Sequence, residues 1–144
     1  MKVSVFTLCD YARAEGEKMN IIGTFNTIYA NQAPAVYPLC ALAIIMRFEK
    51  IEEGPKTVRI SLIDSDGKPV MPTLNAQLNV QFSSATSEAT VQLALLIQQI
   101  SLPRFGEYSI DLAVDGRQEA STPLYVQQVQ TPAQGLQMLP QQPT

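Results

Sequence analysis

Between Thr73 and Phe82 the chain reads TLNAQLNVQF, and apolar and polar positions alternate without a break. Leu74, Ala76, Leu78, Val80 and Phe82 fall on one side, and Asn75, Gln77, Asn79 and Gln81 on the other. Successive side chains of an extended strand point to opposite faces, so this segment is predicted as a strand with one face in a core and one in water. The segment TVRISLID (57–64) repeats the pattern through Val58, Ile60 and Leu62, and EYSIDLAV (107–114) through Tyr108, Ile110, Leu112 and Val114. The run LCALAIIMRF (39–48) is apolar on both faces. Pro38 before it and the Gly54-Pro55 turn after it favour a central strand over a buried helix. Residues 89–100 could form two helical turns, but the alternation of Val91, Leu93, Leu95 and Ile97 favours a strand.

The N-terminal quarter divides in the same way. Met1 to Leu8 reads as one strand. Asn20 to Tyr29 reads as another, with Ile22, Thr24 and Ile28 opposite Ile21, Phe25 and Tyr29. Between them ARAEGEKM is charged, small and centred on Gly16, as a solvent-exposed connection requires. Cys9 then falls where the first strand leaves the core, with Asp10 placed to cap amides of the turn and Tyr11 to cover its apolar edge.

Turn chemistry separates the runs at regular intervals: Gly54-Pro55, Asp66-Gly67 and Asp115-Gly116. The last is flanked by strand pattern and reads as a tight hairpin. About eight strands and no helix predict an all-β fold, an immunoglobulin-like antiparallel β-sandwich. Gly106 and Tyr108 open an alternating strand, where such sandwiches place a tyrosine whose hydroxyl bonds back to the backbone. The plainer alternative makes Tyr108 an inward aromatic. The sandwich is expected over residues 1–126, followed by a Gln/Pro-rich tail over 127–144 with no charged residue. Leu136, Met138 and Leu139 form the one apolar cluster of that tail and are its candidate partner-docking residues.

Composition narrows the functional classes. Net charge is −3 and the basic residues are scattered singly, which argues against a nucleic-acid partner. The longest apolar stretch, Val36 to Phe48, contains Pro38 and Arg47 and is shorter than the ~20 residues of a spanning helix, so no membrane association is expected. The N-terminus lacks the features of a signal peptide, and a cytoplasmic location is expected. Cys9 and Cys40 sit among apolar neighbours and are read as thiols, a disulfide between them being the minority alternative. There is no histidine, which removes Ser-His and Cys-His dyads and imidazole metal ligands together.

Three groups of residues invite a chemical reading. Asp64, Asp66 and Gly67 open like a calcium loop, but the distal bidentate glutamate is missing, and a turn capped by the aspartates explains them without metal. Glu49, Glu52 and Glu53 could do acid–base work only in a cleft that separates their pKa values; a solvated loop is the simpler account. Cys9 as a nucleophile would need a base or cation to lower its pKa, and Arg13 and Lys18 lie across the expected turn. No catalytic residue, metal site or cofactor is therefore assigned.

The ordered pieces LCDYA, MNIIGTFNTI, LAIIMRFE, LIDSDGKPV and LPRFGEYSIDLAVDG resemble a bacterial family of small, uncharacterised β-sandwich proteins. The resemblance spans about residues 1–126 and leaves out the tail. It implies a sandwich fold and a bacterial or phage cytoplasmic origin, and it brings no catalytic or binding residues. The expected function is a non-catalytic protein-interaction or assembly module, self-associating or bound to a protein partner through edge strands or the tail. A small-molecule or carbohydrate binding domain is the second reading, weakened by the absence of tryptophan. A histidine-free enzyme built on Cys9 or a carboxylate pair is the third.

Overall fold

The computed structural model describes residues 1–129, which form nine strands and one short 3₁₀ turn. The strands are β1 (Lys2–Glu15), β2 (Lys18–Phe25), β3 (Thr27–Ala30), β4 (Ala35–Glu49), β5 (Gly54–Asp64), β6 (Leu74–Val80), β7 (Glu88–Leu102), β8 (Gly106–Val114) and β9 (Arg117–Gln128). They pair into a four-stranded sheet in the order β2-β1-β4-β7 and a five-stranded sheet in the order β3-β9-β8-β5-β6. All pairings are antiparallel except β3 with β9, which run parallel. The all-β sandwich expected from the pattern is thus present, with nine strands where about eight were counted.

The inward positions are those the alternation picked out. Val58, Ile60 and Leu62 of β5 and Tyr108, Ile110, Leu112 and Val114 of β8 are buried against Leu42, Ile44, Met46 and Phe48 of β4. Residues 89–100 are strand rather than helix, and β4 is, with β1, one of the two interior strands of its sheet. Pro38 lies inside β4, not ahead of it. It is tolerated because β1 pairs with β4 only as far as Ala41, so β4 is an edge strand at Pro38. Opposite it, Gln99 adopts φ 56°, and this left-handed step lets both Ile97 and Ile100 face the core although they are three residues apart.

The β8–β9 hairpin closes on Asp115 (φ 50°) and Gly116 (φ 81°), the paired positive dihedrals of a type I′ turn. Asp115 also accepts the Thr57 amide at 2.9 Å, tying the turn to β5.

Two N-terminal expectations are corrected. The supposed connection ARAEGEKM is mostly strand: β1 runs on to Glu15, β2 starts at Lys18, and only Gly16 and Glu17 turn. The ladder amides of this long hairpin satisfy its backbone, so its charged residues need no loop. The run Asn20–Tyr29 is two strands, since the chain leaves the first sheet after Phe25 and enters the second at Thr27.

The β1–β2 hairpin also bends back over its own sheet. Glu17, at the tip, accepts a hydrogen bond from the Gln92 side chain of β7 at 3.0 Å, although β4 lies between the two strands. Beneath the arm, Ala12 and Ile21 pack on Cys9, Ala41 and Ala43, a second small core on the outer face of the sheet. Gly23 (φ 72°) lets the arm bend: a Cβ there would stand 2.5 Å from the Asp10 carboxylate.

Candidate functional site

The residues that looked chemical in the sequence serve the fold. Cys9 is fully buried in mid-strand, opposite Thr24 and Ala41, and its thiol donates to the Ala41 carbonyl at 3.6 Å. Its placement at the end of a strand is therefore wrong, because β1 continues for six further residues to Glu15. Burial raises its pKa, the opposite of what a nucleophile needs. Cys40 lies on the other face of the sheet, in the main core, and burial pushes its thiol up to about 11. Both cysteines are free thiols. Asp10 caps no turn; it accepts the Tyr37 hydroxyl at 3.2 Å beside Gly23.

Asp64 is the buried carboxylate of the DSDG turn. One oxygen accepts the amides of Asp66 and Lys68, both at 2.9 Å, and the other meets the Arg104 guanidinium at 3.2 Å. These partners, the Lys68 amide foremost, hold its pKa below the ordinary aspartate range. Among the described residues no three His, Cys, Asp or Glu side chains are grouped to hold a metal ion. Ser65 and Lys68 of the same turn have Ser-x-x-Lys spacing. They are exposed on a surface turn, with no helix start to aim them at one another.

The glutamates are also structural. Glu52 accepts the Glu49 amide at 2.8 Å and pairs with the Met1 ammonium at 2.9 Å, and its pKa is lowered by these contacts, the amide first. Glu53 accepts the Phe82 amide at 3.4 Å.

Tyr108 forms the corner expected of it. Its hydroxyl donates to the Arg104 carbonyl at 2.6 Å and accepts the Arg104 amide at 2.9 Å, pinning the β7–β8 connection. The tail residues Leu136, Met138 and Leu139 lie outside the described residues.

What the fold exposes is a strand edge. Of the four edge strands, β2 carries Lys18 and the Gly23 bend, β3 has four residues and β6 has seven. Strand β7 has 15 residues, EATVQLALLIQQISL, with Glu88 its single charge, no lysine and no proline. Native sheets usually guard an edge with such residues, because its unpaired amides and carbonyls accept another strand. Along β7 the inward Val91, Leu93 and Leu95 are only half-covered, as are Leu74, Ala76 and Leu78 of β6 facing them. A mostly apolar cleft of about 180 Å³ opens between the two edges, lined by Val58, Ile60, Leu74, Asn75, Ala76, Leu95 and Leu96. That is smaller than the roughly 300–1,000 Å³ of small-molecule pockets, but large enough to take an apolar side chain. Leu96, at its rim, is 63% exposed. The alternation in the sequence could identify β7 as a strand, but its place at an edge depends on strand order.

A tyrosine corner on β8 and the order β9-β8-β5-β6, the G-F-C-C′ order of variable-type domains, define an immunoglobulin-like sandwich. Residues 4–127 match the Family of unknown function (DUF6941), and the chain belongs to that family. No curated protein matches it. Among solved structures it is similar to one described as Pseudomonas fluorescens alkylpurine DNA glycosylase AlkC bound to DNA containing an abasic site analog, at 9% identity and a TM-score of 0.49. That match covers 88% of this chain and 30% of the other, so the chain spans about a third of that protein's length.

Proposed function

We propose that this protein is a non-catalytic interaction module that binds a protein strand along the β7 edge. The observation that carries the reading is the long, nearly uncharged edge of β7 lying beside an apolar cleft. A strand added there would satisfy the open backbone groups of β7 and place alternate side chains into the cleft, the mode of β-augmentation. The net charge of −3 favours a protein over a nucleic-acid partner. Two buried, unpaired thiols suit a reducing cytoplasm, here a bacterial one. Among the described residues no helix is long and apolar enough to cross a membrane.

A photo-crosslinking residue placed at position 96 tests this, with the same residue at Ile51, 91% exposed on the 3₁₀ turn, as control. The reading expects protein adducts, in extract or in the purified chain, from position 96 and not from 51. Equal labelling from both positions, or none from 96, contradicts it.

A further inference from the structure

Resting on that reading, we infer that the occupant of the β7 edge is the same edge of a second copy of this chain, paired antiparallel about a two-fold axis near Leu93. The regular part of β7 runs from Glu88 to Gln98, before the left-handed Gln99. Its one charge stands at one end. Antiparallel pairing centred on Leu93 separates the two Glu88 side chains to opposite ends and sets each against the uncharged Gln98 of the other copy. Parallel pairing would place them side by side, and like charges directly opposite are destabilising.

The same operation is self-complementary in pattern. Residues that face each other across an antiparallel pair share a sheet face. About this axis Val91 therefore meets Leu95 of the second copy on the inward side, and Thr90 meets its Leu96 on the outward side. The half-covered apolar residues of β6 and β7 in each copy then adjoin those of the other, and the two clefts merge into one covered seam. The two four-stranded sheets become one eight-stranded sheet, and the contact closes on itself with no further free edge at β7. An edge with a single charge, at one end, also lets two chains of net charge −3 meet where each carries little of that charge. The hairpin arm lies over the outer face at Gln92 and touches the side chain, so it accompanies each copy into the pair.

Sedimentation velocity of the full chain over a wide concentration range tests the inference. It predicts a concentration-dependent dimer. Leu96→Lys, which enters a two-fold contact twice, should weaken that dimer about 100-fold with its circular dichroism unchanged, whereas Ile51→Lys should not weaken it. A chain ending at Val129 should dimerise like the full chain; if it does not, association depends on residues 130–144 and the inference falls. A strict monomer whose position 96 crosslinks to a different protein also overturns it, while leaving the interaction module standing. A strict monomer with no adduct ends both, and a dimer indifferent to Leu96→Lys overturns the edge pairing.

Discussion

Tyr108→Phe isolates the corner that joins the two sheets. The ring is almost wholly buried and stays so in phenylalanine, so the loss of apolar burial is negligible. What disappears is the hydroxyl, with its bonds to the Arg104 carbonyl at 2.6 Å and the Arg104 amide at 2.9 Å. Each such bond contributes a net ~0.5–1.5 kcal/mol, and the groups left behind are backbone atoms of a pinned connection. The expected loss is about 1–3 kcal/mol. For a chain of this size that corresponds to a fall of roughly 3–10 °C in Tm. The chain has no tryptophan, so urea unfolding is best followed by far-ultraviolet circular dichroism. The midpoint should fall with the slope unchanged, since the mutation alters neither state's exposed surface. A variant as stable as the parent would show that water replaces the hydroxyl at no cost and that the corner contributes nothing to stability.

Gly23→Ala should destabilise by about 1–3 kcal/mol, combining a positive φ with the clash against Asp10. Adding Asp10→Ala should recover part of that loss, and strict additivity of the two in urea melts would refute the contact. Asp64 has a folded pKa below its unfolded value near 3.8, so its contribution is complete above that pH and is lost as pH falls through the folded value. Asp64→Asn should therefore lower stability at neutral pH and flatten the acid limb below about pH 4; a limb of unchanged steepness contradicts this. Cys9 and Cys40 should resist a disulfide-exchange thiol reagent at pH 8 in the native state and react fully in urea, because both are buried with raised pKa values. Rapid native labelling of Cys9 would reopen its reading as a nucleophile.

The strands of the sandwich were legible wherever burial on one face is decided by a residue's own alternation, as at Val58-Ile60-Leu62 or Tyr108-Ile110-Leu112. Tyr108 and Asp115-Gly116 were legible because a corner and a type I′ turn need particular chemistry at particular offsets. The hairpin arm was not. Its bend rests on Gly23 meeting Asp10 across two strands, and Ala12 and Ile21 pack on Cys9, Ala41 and Ala43 in an arm whose tip meets Gln92. The division of Asn20–Tyr29 into two strands, and the place of Pro38 within β4, likewise depend on which neighbour each segment finds. The candidate site was hidden for the same reason. The β7 sequence shows a strand with an almost uncharged edge, but only the order β2-β1-β4-β7 leaves that edge open.

Amide hydrogen exchange along Glu88–Gln98 measures that edge directly. The amides of β7 that bond to β4 should be protected at every concentration. The alternate amides, which point away from β4, should exchange fast in dilute protein and become protected as the concentration rises and a second strand takes its place. If those outward amides exchange at the same fast rate in dilute and concentrated protein, the β7 edge is not where this chain meets another copy of itself.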